Sequence, residues 1–181
     1  RIVASPTAGA CVVLPALLIP LCRDDPNTIR ALFVAAGIGQ VIATCASIAG
    51  ASGGCQAEIG SASAMAAGAL VYLRGGSCEQ ILAAVAMSLK NLLGLVCDPV
   101  SGLVEVPCVK RNVIGAVNAM SAADMALAGI QSMIPADQVI DAMKEVGDLM
   151  DVSLRETGRG GLAATRRGVE IRERLQGEAA K

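Results

Sequence analysis

The sequence predicts an all-α fold, a compact bundle of roughly six to eight helices. Sustained alternation of apolar and polar residues is nearly absent, so strands have little support. Helix-start and helix-stop signals, in contrast, recur along the chain. The chain has one Phe, one Tyr and no Trp. We therefore expect a core of Ala, Val, Leu, Ile and Met, in which buried helices rich in Ala and Gly pack closely.

The first half of the chain holds signals for three helices. An Asp-Asp-Pro sequence is typical of an N-cap with proline in the first turn, and it predicts a helix over residues 24–49. Gly37 and Gly39 within it indicate close packing against a neighbour. A second helix is expected over residues 55–74, because two glycines follow it. A Ser-Cys-Glu-Gln capping box then opens a third helix over residues 77–94.

The second half begins with a segment that should not be helical. Residues 95–107 hold two prolines and one glycine, which predict a loop or broken helix. A fourth helix is expected over residues 109–133, and Pro135 opens a fifth. A Gly-Gly pair precedes a last, charged helix over residues 166–175. One face of the fifth helix is apolar at helical spacing: Val139, Met143, Val146 and Met150.

Length and charge exclude some classes of protein. At 181 residues, the chain is expected to form one domain, 1–181. A net charge of -1 argues against nucleic-acid binding, which needs a basic surface. The first residue is Arg and not Met, so we expect a chain truncated at its N-terminus.

Hydropathy makes a membrane protein the main alternative to a water-soluble one. The mean hydropathy is +0.58, and residues 2–22 and 31–57 carry no charge. Both stretches are long enough to span a bilayer, but they are rich in Ala, Gly and Ser and lack an aromatic belt. We interpret them as buried helices outside any membrane. No secretory signal precedes the seven cysteines, so the reducing cytoplasm is the expected location.

Three of the cysteines occur in two distinctive segments. Cys55 follows Gly50-Ala51-Ser52-Gly53-Gly54, whose small residues let the backbone approach a bulky inorganic group. Cys97 and Cys108 flank the proline-containing loop. Three thiolates can hold an iron–sulfur cluster with one iron left open, but the spacing alone also fits buried apolar cysteines. Zinc has less support, because the chain has no His and no Cys-x-x-Cys pair. The other four are interpreted as small apolar residues: Cys11, Cys22, Cys45 and Cys78.

Longer segments around these cysteines resemble a known family. The segments are Arg1-Ile2-Val3-Ala4-Ser5-Pro6-Thr7-Ala8-Gly9-Ala10, Gly50 to Gly68, Cys97 to Ala119, and Gly161-Leu162-Ala163-Ala164-Thr165. They resemble the α subunit, or α domain, of the bacterial iron–sulfur-dependent L-serine dehydratases, which are L-serine ammonia-lyases. The resemblance covers nearly the whole chain. It implies a helical fold, a [4Fe-4S] cluster held by Cys55, Cys97 and Cys108, and a β subunit or β domain in an oligomeric enzyme.

The chain also departs from the family's usual pattern. Arg166-Arg167-Gly168 stands where two-subunit α chains usually have Pro-Thr-Gly. No cysteine lies near the C-terminus, whereas some single-chain members have one there that reaches the cluster. This puts a fourth cysteine ligand in doubt for this chain.

The implied reaction converts L-serine to pyruvate and ammonia. An open iron would act as a Lewis acid on the substrate hydroxyl. The Cα proton needs a base, but a base from the β part or from a missing N-terminal segment is favoured over local carboxylates and lysines. Arg111 suits a substrate carboxylate or, equally, a structural ion pair, and Thr7 and Gly9 are expected near the substrate. The local candidates for the base lie near the cysteines in sequence: Glu58, Glu105 and Lys110.

Three alternatives stay open at this stage. A related cluster-dependent lyase could act on L-cysteine and release sulfide. The chain could instead be a cluster-carrying subunit that is inactive without its β partner. A membrane-embedded helical bundle is the third alternative.

Overall fold

A computed structural model describes residues 3–179 of the chain. Across this range the chain forms α-helices joined by short turns and no named strand, and one isolated bridge pairs Cys97 with Arg155. The all-α prediction is confirmed. Arg1 and Ile2, which belong to the first family-like segment, lie outside the described residues. The helices are α1 (Val13–Cys22), α2 (Thr28–Cys45), α3 (Gly50–Gly53), α4 (Ser61–Leu73), α5 (Cys78–Lys90), α6 (Cys108–Leu127), α7 (Ala136–Leu149) and α8 (Arg166–Ala179).

Helix α4 lies at the centre of the bundle. Every residue from Ser61 to Val71 is buried, and α1, α2, α5 and α6 all pack against this helix. Most of these side chains are Ala, Gly or Ser, and the larger ones are Met65, Leu70 and Val71. Small side chains let four neighbours approach one helix at the density of a protein interior. The predicted Ala- and Gly-rich core is therefore present.

A buried polar contact joins three of these helices. Ser63 of α4 donates to the carbonyl of Gly115 in α6 at 2.7 Å, and Ser88 of α5 donates to Ser63 at 2.8 Å. Asn118 of α6 donates to both hydroxyls, at 2.9 Å and 3.1 Å. The network satisfies the hydroxyls of Ser63 and Ser88 within an otherwise apolar core and fixes the rotation of α4 relative to α5 and α6.

Helix α7 covers a second part of the core. Val139 and Met143 are buried against Ile42 and Leu89, in agreement with the apolar face predicted for the fifth helix. Val146 and Met150, also assigned to that face, are half-buried. The end of this helix also packs against the segment that contains Cys55.

Local signals located most helix starts correctly. The capping box at Ser77 is present, because its hydroxyl accepts from the Gln80 amide while the Gln80 side chain accepts from the Ser77 amide. The predicted loop over residues 95–107 contains only a short 3-10 turn. Helix α6 ends at Leu127, six residues before the predicted end at 133, because Gly129 adopts φ of +89° and turns the chain.

The second predicted helix is divided in the structure. The segment before it forms the single turn α3, and Gln56–Gly60 forms a π-helical turn that leads directly into α4. Gly54 separates the two with φ of +76°, a conformation that suits glycine. A π turn displaces side chains from the regular helical positions, and such turns are frequent at functional sites.

Helix α2 is less buried than the sequence indicated. It is long and apolar enough to cross a membrane by length and composition, although core helices of soluble proteins meet the same criterion. Only Ala31, Ala35, Gly39 and Ile42 are buried, so one face packs on α4 while Phe33 on the other face is 75% exposed. The interpretation of residues 31–57 as a buried helix is therefore wrong in part. The other uncharged stretch, 2–22, contains the ten-residue α1, which has Pro20 in its last turn.

The packing around α4 predicts opposite effects for two helical glycines. A methyl group at Gly68 of α4 would collide with Ile38 and lie 3.3 Å from Ile81, so Gly68→Ala should destabilise the fold by about 1–2 kcal/mol. Gly37 of α2 is exposed, and no atom lies within 4 Å of the place that an added methyl group would occupy. Gly37→Ala should therefore stabilise the fold by about 0.5–1 kcal/mol. Urea unfolding of both variants measures the two changes, and equal effects at the two sites would contradict the packing described.

Candidate metal centre

Cys55 lies at the start of the π-helical turn and is 1% exposed. The next residue, Gln56, fixes this turn from both sides. The Gln56 side-chain nitrogen Nε2 donates to the Met143 carbonyl at 2.8 Å, and the side-chain oxygen Oε1 accepts from the Gly94 backbone amide at 2.9 Å. The backbone of Gln56 also donates to the Leu95 carbonyl at 2.9 Å. These contacts hold the Cys55 turn between α7 and the segment that leads to Cys97.

Cys97 is 3% exposed and is held by its own backbone. Its amide donates to the Leu154 carbonyl at 2.8 Å, and its carbonyl accepts from the Glu156 amide at 2.7 Å. The segment after α7 therefore runs alongside Cys97 and covers it. The ligand atoms of Cys55, Cys97 and Glu58 all lie within 4.8 Å of one another.

Glu58 enters this group from the π-helical turn. Its carboxylate accepts a hydrogen bond from the Thr7 hydroxyl, and Gly9 lies against the same carboxylate oxygen. Gly50 is close on the other side, since a methyl group there would lie 2.8 Å from the Cys97 sulfur and 3.1 Å from the second Glu58 oxygen. The glycines at positions 9 and 50 thus leave room for the carboxylate and the thiol.

Cys108 is the first residue of α6 and is buried. It is not one of the three residues whose ligand atoms lie within 4.8 Å of one another. Asn112, one helical turn later, donates to the Cys108 carbonyl at 3.0 Å and to the Gly9 carbonyl at 2.6 Å. The Asn112 side-chain oxygen is buried and has no hydrogen-bond partner among the described residues. Asn112 therefore joins the start of α6 to the segment that contacts Glu58.

Arg111 places a largely buried positive charge beside the thiols. Its side chain is 13% exposed, and Nη1 donates to the Val96 carbonyl at 2.7 Å and to the Cys55 sulfur at 3.6 Å. The same nitrogen lies 2.9 Å from Asp98 Oδ1, as an ion pair without hydrogen-bond alignment. Asp98 Oδ2 accepts from the Leu162 amide at 2.7 Å. Asp98 thereby connects Arg111 to the Gly-Leu-Ala-Ala segment before α8.

The environment of the three cysteines separates their pKa values. A hydrogen bond from Cys97 lowers the pKa of Cys55 against the effect of burial, and Arg111 lowers it further. The same hydrogen bond and burial raise the pKa of Cys97. Burial and the Cys55 charge raise the pKa of Cys108. Cys55 is therefore the thiol that ionises first, beside the Arg111 guanidinium.

Comparison with known proteins identifies the family. The family model described as serine dehydratase alpha chain matches residues 1–163. The chain belongs to the serine dehydratase alpha chain family. It is 58% identical over 182 residues to the probable L-serine dehydratase, alpha chain, of Bacillus subtilis (strain 168), covering 98% of this chain and 61% of that protein. It is 56% identical over 181 residues to the probable L-serine dehydratase, alpha chain, of Latilactobacillus sakei, covering 98% of this chain and 87% of that protein.

Names without the words "alpha chain" also occur among the relatives. The chain is 45% identical over 169 residues to L-serine dehydratase 1 of Escherichia coli (strain K12), with 90% of this chain and 37% of that protein covered. The chain thus spans about three fifths of the Bacillus relative and about a third of the Escherichia relative. The resemblance stated from the sequence segments is confirmed.

The structure brings together part of the predicted site. Thr7 and Gly9 lie at Glu58, and Arg111 contacts Cys55. Glu105 lies in the 95–107 loop and Lys110 in the first turn of α6, and both are exposed. The roles predicted for these residues stay predictions.

Sequence reasoning missed two buried polar residues of the site. Asp98 was noticed only as part of the loop, although a carboxylate next to a cysteine and 13 residues before an arginine could have indicated an ion pair. Asn112 lies four residues after Cys108, which is one helical turn, and that spacing could have indicated a contact with Cys108.

Asp98 is expected to hold the fold of this site together. Removing one partner of a buried ion pair leaves the other charge unpaired, so Asp98→Ala should lower the free energy of unfolding by about 3 kcal/mol. Asp148→Ala removes the exposed pair between Lys144 and Asp148 and serves as the control with little effect. Urea unfolding compares the two. A similar small change in both variants would contradict a stabilising role for Asp98.

Proposed function

We propose that this chain is the cluster-carrying α component of an L-serine dehydratase, which deaminates L-serine to pyruvate and ammonia. The observation that supports this most directly is the group of two buried cysteines, Cys55 and Cys97, and the half-buried Glu58, which lies beside Arg111 in a chain of the serine dehydratase alpha chain family. The names of its relatives supply the substrate, L-serine.

The donor set fits an iron–sulfur cluster. Cysteine thiolates are the usual ligands of such clusters, and Cys55, Cys97 and Cys108 are buried free thiols. Gly50 has no side chain, which lets its backbone approach the Cys97 thiol closely. In the proposal, these three cysteines hold a [4Fe-4S] cluster. When bound, the cluster supplies a Lewis acid for the developing charge on the leaving hydroxyl.

Arg111 is proposed to bind the substrate carboxylate. Within residues 3–179, its contacts with Val96, Asp98 and Cys55 all use Nη1, so Nε and Nη2 are free for a carboxylate. A guanidinium can bind a carboxylate through two parallel hydrogen bonds. Asp98 fixes the orientation of the guanidinium, so the substrate would be held by a group that does not have to reorganise.

The proton at Cα must leave together with the β-hydroxyl, which departs as water. The resulting aminoacrylate tautomerises to an imine, and a second water hydrolyses the imine to pyruvate and ammonia. Of the three local candidates for the base, Glu105 and Lys110 are exposed, and Glu58 already accepts a hydrogen bond from Thr7. We therefore propose that the base comes from the β subunit or β domain.

Exposed apolar residues beside the site support such a partner. The loop before α6 and one side of α6 itself form this patch, and each of its side chains is about half exposed or more. A patch of this kind is typical of a surface that another polypeptide covers. Its position next to Cys108 suits a β subunit or domain that completes the active site. The residues are Leu103, Val104, Val106, Val109, Val113, Ile114 and Val117.

Cytoplasmic location is part of the proposal. All seven cysteines are free, and none pairs in a disulfide. A reducing compartment keeps such thiols available for iron. A lyase acting on L-cysteine is the second candidate function, because the same three cysteines and Arg111 would serve a substrate with a β-thiol.

Substitution of a ligand should remove the cluster and the activity together. The chain, purified anaerobically in the complex in which it is isolated, should contain iron and acid-labile sulfide and should form pyruvate from L-serine. Cys97→Ala should lower cluster content severely and reduce pyruvate formation at least 100-fold, because the open iron is lost. Cys78→Ala, which changes an exposed cysteine of α5, is the matched control and should behave as wild type.

Three measurements separate the alternatives: cluster content by iron and sulfide assay, pyruvate from L-serine, and sulfide from L-cysteine. Faster turnover of L-cysteine would favour the second function. A chain with its cluster but without turnover until a β partner is added would identify a cluster-carrying subunit. Equal iron content in Cys97→Ala and wild type would contradict the proposed ligands.

A further inference from the structure

We infer that Glu58 is a fourth protein ligand of the metal centre, occupying through its carboxylate the iron that the three cysteines leave open when no substrate is bound. The inference rests on the proposed function, because it assumes the cluster at Cys55, Cys97 and Cys108. It adds a ligand that neither the cysteine spacing nor the names of the relatives indicate.

The position of the two carboxylate oxygens supports this role. One oxygen accepts from Thr7 and lies against Gly9. The other oxygen would lie 3.1 Å from a methyl group added at Gly50, and the Cys97 sulfur would lie 2.8 Å from the same methyl group. One oxygen is therefore fixed by a hydrogen bond, while the other lies next to the same space beside Gly50 as the Cys97 sulfur. Metal-bound carboxylates commonly have this arrangement, with an outer hydrogen bond that orients the ligand.

The backbone explains why Glu58 reaches the thiols. Glu58 follows Cys55 by three residues within the π-helical turn, so both side chains project from the same turn. The turn leads without a break into the buried helix α4. Thr7 reaches the carboxylate from a segment 51 residues away, and Asn112 holds that segment through the Gly9 carbonyl. The carboxylate is thus positioned by groups from two separate parts of the chain.

Charge also favours a cation at this position. Glu58 is half-buried, and among the described residues its carboxylate forms no salt bridge; the hydroxyl of Thr7 is its hydrogen-bond partner. Arg111, the nearby cation, is paired with Asp98. Buried charges in proteins are usually paired or coordinate metals. A half-buried carboxylate beside Cys55 and Cys97, with no cationic partner among the described residues, is therefore suited to a metal ligand role, and carboxylate is an accepted ligand of iron.

The test measures how readily the open iron is lost in the absence of substrate. Wild type and Glu58→Gln, both with the cluster reconstituted anaerobically in the full chain, are treated with ferricyanide. The growth of the electron paramagnetic resonance signal of the three-iron cluster gives the rate of iron loss. We expect Glu58→Gln to lose this iron about tenfold faster, by analogy with the effect of ligand-supporting residues on metal affinity. Glu145→Gln, an exposed carboxylate on α7, is the matched control and should match wild type.

A second variant covers the case in which Glu58→Gln does not fold. Thr7→Val keeps the carboxylate but removes its hydrogen bond, and it should accelerate iron loss to a smaller extent, about threefold. If the variants that fold lose iron at the wild-type rate, the inference is wrong while the proposed function stands. If wild type itself assembles no cluster, the proposed function fails, and the inference fails with it.

Discussion

Close packing around α4 is the constraint on which the rest of the structure depends. A helix with neighbours on four sides has no polar face, so small residues must occupy nearly every position from Ser61 to Val71. The hydroxyl of Ser63 is hydrogen-bonded to α5 and α6, whereas the buried hydroxyl of Ser61 has no partner among the described residues. Because the π-helical turn with Cys55 and Glu58 continues directly into α4, the rigid core also fixes the first two donors of the metal centre.

The other parts of the centre are held by contacts that cross long stretches of sequence. Asp98 accepts from Leu162, 64 residues away, and Asn112 donates to Gly9, 103 residues away. Each contact fixes the end of a helix or of a loop near the thiols by a single hydrogen bond. The centre is therefore built from segment ends that the helical core brings together, with Arg111 as the shared cation.

The sequence predicted the local features of the fold well and its long-range contacts poorly. Ser77 and Gln80 cap α5 because a capping box depends on residues that are three positions apart, so the pattern is visible in the sequence. The exposure of α2 could not be predicted, because the sequence of an apolar helix does not show whether one or both of its faces are covered by neighbours. Likewise, the sequence context identified Cys55 and Cys97 as candidate ligands, whereas the roles of Asp98 and Asn112 depend on partners that only the tertiary structure shows.

Two of the candidate cysteine ligands lie at helix starts, where the backbone carries partial positive charge. The turn that leads into α4 begins at Cys55, and α6 begins at Cys108, so each of these two cysteines lies at a helix start. Amide groups at a helix start carry partial positive charge and favour thiolates and sulfide. Arg111 adds a full charge within the first turn of α6. The fold thus surrounds Cys55 with positive potential while Glu58 contributes negative charge at the same place. The hydrogen bond from Cys97 and the charge of Arg111 lower the pKa of Cys55, so the fold favours a thiolate at this position.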